Sequence, residues 1–215
     1  MEAATRPIDA VERDRDELRV PWKSGDAMAA TLMVFGAFVV LLLLAPAPDG
    51  GEAGSVVPWF AAVAETAFPT AVWIFGVRRY RTRWWVAGMR SPRTPRSFLL
   101  PWLVVVGSLG FASVYVAVLA SLGLDSLWPS PVPEELVGHG VERMLNGAIV
   151  VGLGPFAEEL FFRGFLLAAL VRPFGVLRAA LLSSMVFALA HLSLSAMVPI
   201  FFTGLLLAWL YLKSR

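Results

Sequence analysis

The chain has 215 residues, of which 58% are hydrophobic and only 16% are charged. Because a soluble domain is about 45–50% apolar and about 25% charged, this composition excludes an ordinary soluble enzyme, a disordered segment and a coiled coil. The chain contains no Cys, which excludes a disulfide scaffold, a thiolate nucleophile and a Cys metal site. We therefore predict an all-α, polytopic membrane protein that lies in a lipid bilayer.

Residues 1–26 are polar and mixed in charge, and we predict that they form a cytosolic tail. No small-residue cleavage site ends the apolar run that follows, so this run is predicted to stay in the protein as its first span. Six apolar segments, most of them near the ~20 residues that cross a bilayer, make up the predicted membrane domain, residues 27–215. They cover about residues 27–45, 56–77, 98–122, 144–171, 179–194 and 198–212.

Charge in the loops predicts the orientation of these spans. The loop 78–96 holds seven Arg and no acid, which is typical of a cytoplasmic loop, and the loop 172–178 holds two Arg and no acid. The loops 46–55 and 123–143 are predominantly acidic and are predicted to be external. Both termini are then cytoplasmic. The same clustering accounts for a pI near 9.4 without a nucleic-acid partner.

Five ionisable side chains fall well inside the predicted spans, where a charge is costly and marks a functional candidate. They are Glu65, Glu158, Glu159, Arg163 and His191. Glu159 and Arg163 are four residues apart, which places them on one helix face and allows them to pair. Glu158 lies about 100° around the helix from Glu159 and has no such partner, so it is the predicted base for activating water.

The segment Phe187-Ala-Leu-Ala-His191 supplies a second element, with the Phe and the His one helical turn apart. Glu158 is fourteen residues from Arg172, and His191 is thirteen residues from Arg178. At about 1.5 Å per residue, both groups lie ~20 Å from the cytoplasmic boundary. Antiparallel neighbouring helices would therefore bring Glu158 and His191 to one level, within reach of a shared water.

Each of these residues also has a plainer interpretation. A single His inside a membrane is most often a packing residue, and a Glu-Glu-Arg cluster can be a structural ion pair. Glu65 lies thirteen residues from Arg78, at the same nominal depth as the other candidates. It is either a supporting site residue or a protonated carboxyl bonded to a neighbouring helix. His139 and the acidic pair at 134–135 are interpreted as external loop residues.

Three segments carry a resemblance to a known family. Residues 153–167, LGPFAEELFFRGFLL, resemble the first motif of the CPBP family, and residues 183–191, SSMVFALAH, resemble its second motif. Residues 201–212, FFTGLLLAWLYL, are similar to the span that follows, so the protease-like core covers about residues 144–212. The family groups type II CAAX prenyl endopeptidases with bacteriocin-processing, immunity and abortive-infection-like relatives.

The resemblance implies an integral membrane endopeptidase that cleaves a peptide bond in a lipidated or membrane-embedded substrate. It implies that Glu158 and His191 activate the attacking water, while Glu159 and Arg163 support the site. Phe187 and Glu65 are further supporting candidates. We expect a multi-pass protein of the bacterial plasma membrane.

A divalent metal such as zinc is a candidate cofactor, with Glu158 and His191 as an incomplete set of ligands, because a catalytic zinc usually has three protein ligands. The family continues into a span bearing HxxxN, and the sequence given ends at Arg215 before such a span. From the residues present we expect weak activity or none.

Two other function classes are open to the same sequence. One is a non-catalytic interaction protein, such as an immunity-like relative that keeps the helices and binds a target. The other is a small proton-coupled transporter that uses Glu65, Glu158 and His191 as a relay. Internal symmetry between two halves would favour the transporter, and the sequence has none.

The predicted sidedness can be tested with single Cys substitutions, because the chain has no native Cys. Ser91→Cys, inside the arginine-rich loop, should be protected from a membrane-impermeant thiol reagent added to intact cells. Ser55→Cys, in the first external loop, should be labelled. Labelling at position 91 from outside would contradict the predicted orientation.

Overall fold

A computed structural model of the chain describes residues 20–44, 53–88, 96–124, 127–128 and 140–214. Every regular element within these ranges is a helix, which confirms the predicted all-α class. Six helical rods occupy the six apolar segments predicted from the sequence. They are α1 (Ser24–Leu44), α2 (Ala53–Val72), α3 (Arg96–Ser121), a central helix (residues 140–174), α4 (Val176–Ala190) and α5 (Met197–Lys213). A π-helical segment, Trp73–Arg78, continues α2, and a 3-10 turn, Trp84–Ala87, follows it.

Three helical stretches are long and apolar enough to cross a bilayer, judged by length and composition: Ser24–Leu44, Leu99–Ser121 and Arg143–Phe174. The apolar helices Val176–Ala190 and Met197–Lys213 are shorter. The protein is therefore a helical bundle of the integral membrane type. The count of six spans and the cytoplasmic position of both termini stay predictions.

The central helix alternates between α-helical and π-helical turns. Its α-helical parts are Gly140–Ala148, Gly154–Glu159 and Ala168–Phe174, and its π-helical parts are Ile149–Leu153 and Leu160–Leu167. Such distortions arise where side chains bond into the helical ladder, and they are frequent at functional sites. In the second π-helical part, the Ser183 hydroxyl donates to the Phe162 carbonyl at 2.8 Å. The Trp22 indole N–H donates to the Phe165 carbonyl at 3.1 Å.

The same π-helical part, Leu160–Leu167, forms the core of the bundle, since all eight of its residues are buried. Phe68 of α2 packs against Phe161 and Phe162, with ring centroids 5.4 and 5.3 Å apart. On the other side, Phe162 meets Phe187 of α4 edge to face at 5.1 Å. The central helix thus lies between α2 and α4, and the aromatic side chains fix its position against both.

The helix α3 packs on α5 at the edge of the bundle. Phe111 stacks on Phe202 with a centroid distance of 4.0 Å, and the Tyr115 hydroxyl donates to the Ser195 carbonyl at 3.3 Å. Most large apolar side chains of α3 point away from the protein, including Trp102, which is 68% exposed. An apolar exterior of this kind suits a helix that contacts lipid.

The end of the predicted tail packs against the membrane domain. Trp22 is buried against Phe165, and Asp26 lies in the first turn of α1, where its Oδ2 accepts the Lys23 backbone N–H at 2.9 Å. Asp26 also accepts the Tyr80 hydroxyl at 2.5 Å and pairs with the Arg79 guanidinium at 3.1 Å. The bond to Asp26 raises the pKa of Tyr80, because the phenol gives up this bond when it ionises. Residues 1–19 of the tail lie outside the described residues.

The 3-10 turn sits directly on the central helix at Gly164. A Cβ built on Gly164 would lie 1.8 Å from the Ala87 carbonyl oxygen, a distance that no relaxed packing permits. The residue after Arg163 must therefore lack a side chain if the turn is to keep its place.

We expect Gly164→Ala to displace the 3-10 turn and to lower the free energy of unfolding by about 1–3 kcal/mol or more, as overpacking does. Gly110→Ala in α3 is the matched control, because a Cβ there meets nothing within 4 Å. Thermal unfolding in detergent should show a lower midpoint for the first variant only. Equal midpoints for the two variants would contradict the contact.

Candidate active site

The Arg163 guanidinium is enclosed by three partners inside the bundle, and its side chain is 1% exposed. Its Nη1 lies 3.1 Å from Glu159 Oε1, as the four-residue spacing predicted. Its Nη2 donates to the Gly204 carbonyl of α5 at 3.2 Å. The guanidinium carbon lies 4.3 Å from the centre of the Phe187 ring, a cation–π contact. The Glu159–Arg163 pair is thus confirmed, and it holds the central helix, α4 and α5 together.

The carbonyl of Gly204 reaches Arg163 because α4 and α5 approach closely at this point. A Cβ on Gly204 would lie 3.0 Å from Ser184 Cβ and 3.2 Å from Phe187 Cδ1. The sequence prediction missed this partner. The signal was present as Gly204-Leu-Leu-Leu-Ala208, the small-xxx-small spacing that brings helices together in membranes.

His191 caps the C-terminus of α4. Its Nδ1 lies 2.9 Å from the Phe187 carbonyl oxygen, and its ring meets the Phe187 ring edge to face at 4.7 Å. A carbonyl oxygen only accepts hydrogen bonds, so Nδ1 carries the proton in this contact. In the neutral ring, Nε2 then keeps its lone pair and acts as an acceptor.

The fifth apolar segment was predicted as helical to residue 194, but α4 ends at Ala190. Leu192 adopts a φ of +51°, in the left-handed region, which breaks the helix directly after His191. Strained backbone of this type is found at functional sites. The break at Leu192 leaves His191 at the end of α4 rather than within a continuous span.

Glu158 and His191 meet as the depth argument predicted. Glu158 Oε1 lies 3.9 Å from His191 Nε2, and both side chains are partly exposed. This separation is longer than a direct hydrogen bond and leaves room for one water bonded to both atoms at about 2.8–3 Å. The structure therefore brings together the two groups that were predicted to share a water.

Glu65 approaches the same region from α2. Its carboxyl carbon would lie 3.4 Å from a Cβ on Gly154, which precedes Glu158 by one helical turn. Glu65 Oε2 is buried and has no hydrogen-bond partner among the described residues. This holds for Oε2 alone, so the supporting role and the alternative of a carboxyl bonded to a neighbouring helix both stay predictions.

The sequence suggested a metal site with Glu158 and His191 as two of its ligands, and the described residues add no third ligand. Within the described ranges, no three side chains of His, Asp or Glu come together as a cluster that could hold a metal ion. Glu158 and His191 supply two ligands, whereas a catalytic zinc usually takes three from the protein. His139 and residues 134–135 lie outside the described residues.

Arg163→Ala should lower the free energy of unfolding by about 3–5 kcal/mol, because it removes the buried cation that pairs with Glu159, together with its bond to Gly204. Glu159→Gln should also destabilise the fold, since it leaves the buried cation unpaired. Glu158→Gln keeps the size of the side chain and should unfold within about 1 kcal/mol of the wild type. Denaturation in mixed micelles measures all three; a larger loss for Glu158→Gln than for Arg163→Ala would refute the assignment.

A comparison with protein-family models matches residues 140–215, roughly a third of the chain, to the family described as type II CAAX prenyl endopeptidase Rce1-like. No curated protein and no solved structure matches the chain. The matched residues include Glu158, Glu159, Arg163 and His191. The predicted kinship with the CPBP family of membrane proteases is thereby confirmed for the C-terminal part of the chain, which contains the site.

Proposed function

We propose that this protein is an intramembrane endopeptidase in which Glu158 and His191 activate the attacking water. The observation that carries the proposal is the 3.9 Å separation between Glu158 Oε1 and His191 Nε2. The bond from Nδ1 to the Phe187 carbonyl supports it, because it turns the accepting nitrogen of the ring toward Glu158. A histidine with a purely structural role would not need its accepting nitrogen, Nε2, to face a carboxylate.

In the proposed reaction, a water between the two groups donates one hydrogen bond to Glu158 and one to His191. Its oxygen lone pairs are then free to attack the carbonyl carbon of the scissile peptide bond. As the C–O bond forms, the water proton passes to Glu158, which acts as the general base. When the C–N bond breaks, Glu158 returns this proton to the leaving amine, and the other product is a carboxylic acid.

Glu159, Arg163 and Phe187 act as positioning residues in this scheme. The Glu159–Arg163 pair fixes the helical turn that carries Glu158, and Phe187 contacts both the guanidinium and the His191 ring. Positioning to within a fraction of an ångström is what such supporting contacts contribute to catalysis.

The substrate class follows from the surroundings of the site. The site lies on helices whose outer surfaces are apolar, so a substrate that partitions into the bilayer reaches it most readily. We propose a peptide or protein that is membrane-embedded or carries a lipid near the scissile bond. The prenylated C-terminal segments named by the matched family are the first candidates.

The proposal is tested with quenched-fluorescence peptides in proteoliposomes. One peptide carries a farnesylated Cys fourth from its C-terminus, a second carries a palmitoylated Cys, and a third is a single-span peptide. Glu158→Gln and His191→Ala should each lower the cleavage rate at least about 100-fold, the typical contribution of a general base. His139→Ala changes the other His of the chain and should cleave like the wild type.

Two results would contradict this function. Wild-type cleavage rates in Glu158→Gln would remove the proposed base. Absence of cleavage of all three peptides by folded wild-type protein would favour the non-catalytic interaction protein.

A further inference from the structure

Glu65 carries a buried polar atom that the fold leaves unused. Its Oε2 is shielded from the surroundings and has no hydrogen-bond partner within the described residues. An unsatisfied buried acceptor is destabilising, and an ionisable residue within an apolar helix is rarely present without a role. Glu65 is therefore expected to lower the stability of the fold, and the described residues form no hydrogen bond to Oε2 that would offset this loss.

The position of Glu65 relates it to the candidate active site. The built Cβ of Gly154 comes 3.4 Å from Glu65 Cδ and 3.6 Å from Oε1. Gly154 and Glu158 are four residues apart on one face of the central helix. The Glu65 carboxyl thus lies about one helical turn from the proposed base.

The nearby basic groups have other partners. The Arg163 guanidinium pairs with Glu159 and donates to the Gly204 carbonyl. The Nδ1–H of His191 donates to the Phe187 carbonyl. None of these contacts is with Glu65, so a donor for Glu65 is available from a molecule that enters the site.

We propose that Glu65 is a substrate-binding subsite: its carboxylate turns toward an entering peptide and accepts a hydrogen bond from a backbone N–H of that substrate. A helical turn rises about 5.4 Å and an extended peptide advances about 3.4 Å per residue, which places this N–H one or two residues from the scissile bond. An extended peptide presents such donors at regular intervals, and main-chain bonds are a common means of holding it. The inference rests on the proposed function, because it adds a residue to the same substrate path.

The test measures binding, so that it does not depend on turnover. In the Glu158→Gln background, fluorescence anisotropy follows two labelled probes in nanodiscs: a farnesylated decapeptide with the lipidated Cys fourth from its C-terminus, and a single-span peptide. Each probe is also made as a series with one N-methylated amide at successive positions. One N-methylated position should bind about tenfold or more weakly than the parent, the size of a hydrogen bond to a charged group.

Adding Glu65→Leu should weaken binding of the parent peptide by a similar factor and abolish the effect of that N-methyl group. The same variant should unfold at an equal or higher temperature, because a buried polar group without a partner is replaced by an apolar one. Thr66→Val, at the adjacent exposed position of α2, is the matched control and should leave binding unchanged.

The inference is overturned if no N-methylated position weakens binding, or if the N-methyl effect persists in full in Glu65→Leu. If Glu65→Leu fails to fold, the absence of any N-methyl effect in the Glu158→Gln background still overturns the inference. Cleavage without any N-methyl effect would support the proposed function and contradict the subsite. A Glu65-dependent N-methyl effect without cleavage by the wild type would support the subsite and contradict the proposed function.

Discussion

The burial of one guanidinium determines the arrangement of this bundle. Arg163 lies almost fully enclosed among apolar helices, where an uncompensated charge is highly unfavourable. Its partners come from three directions: a carboxylate on its own helix, a carbonyl of α5 and the face of an aromatic ring of α4. The helices can bring all three partners to the cation only when they are in register. Helix packing and the satisfaction of this charge are therefore one constraint.

The irregular turns of the central helix follow from the same crowding. The π-helical part that contains Arg163 offers carbonyls to Ser183 of α4 and to Trp22 before α1. A regular helix would keep these carbonyls in its own ladder, and neighbouring elements would lose two anchoring bonds. Gly164 adds a third anchor, since it lets the Ala87 carbonyl touch the helix backbone. The distorted stretch is the place where separate parts of the chain join.

Periodicity along the chain predicted much of the fold and of the site. A spacing of four residues is enough to pair Glu159 with Arg163, and equal distances from the loop arginines are enough to align Glu158 with His191. Periodicity alone does not predict contacts that depend on the shape of the backbone. The end of α4 at Ala190 and the Gly204 carbonyl near Arg163 depend on how helices pack in three dimensions. The sequence shows which side chain stands at each position, whereas these contacts are made by backbone groups that every residue has.

Phe187 shows how the stable part of the structure and the reactive part are joined. Its ring faces the buried guanidinium and meets the His191 ring edge to face, and its carbonyl accepts a hydrogen bond from Nδ1–H of that His. The helix ends just after this contact, so the imidazole has no following helical turn to hold it. Its orientation therefore depends on Phe187, and the position of Phe187 depends on Arg163. The ion pair with Glu159 thus fixes, through one aromatic residue, the direction in which the Nε2 lone pair meets Glu158.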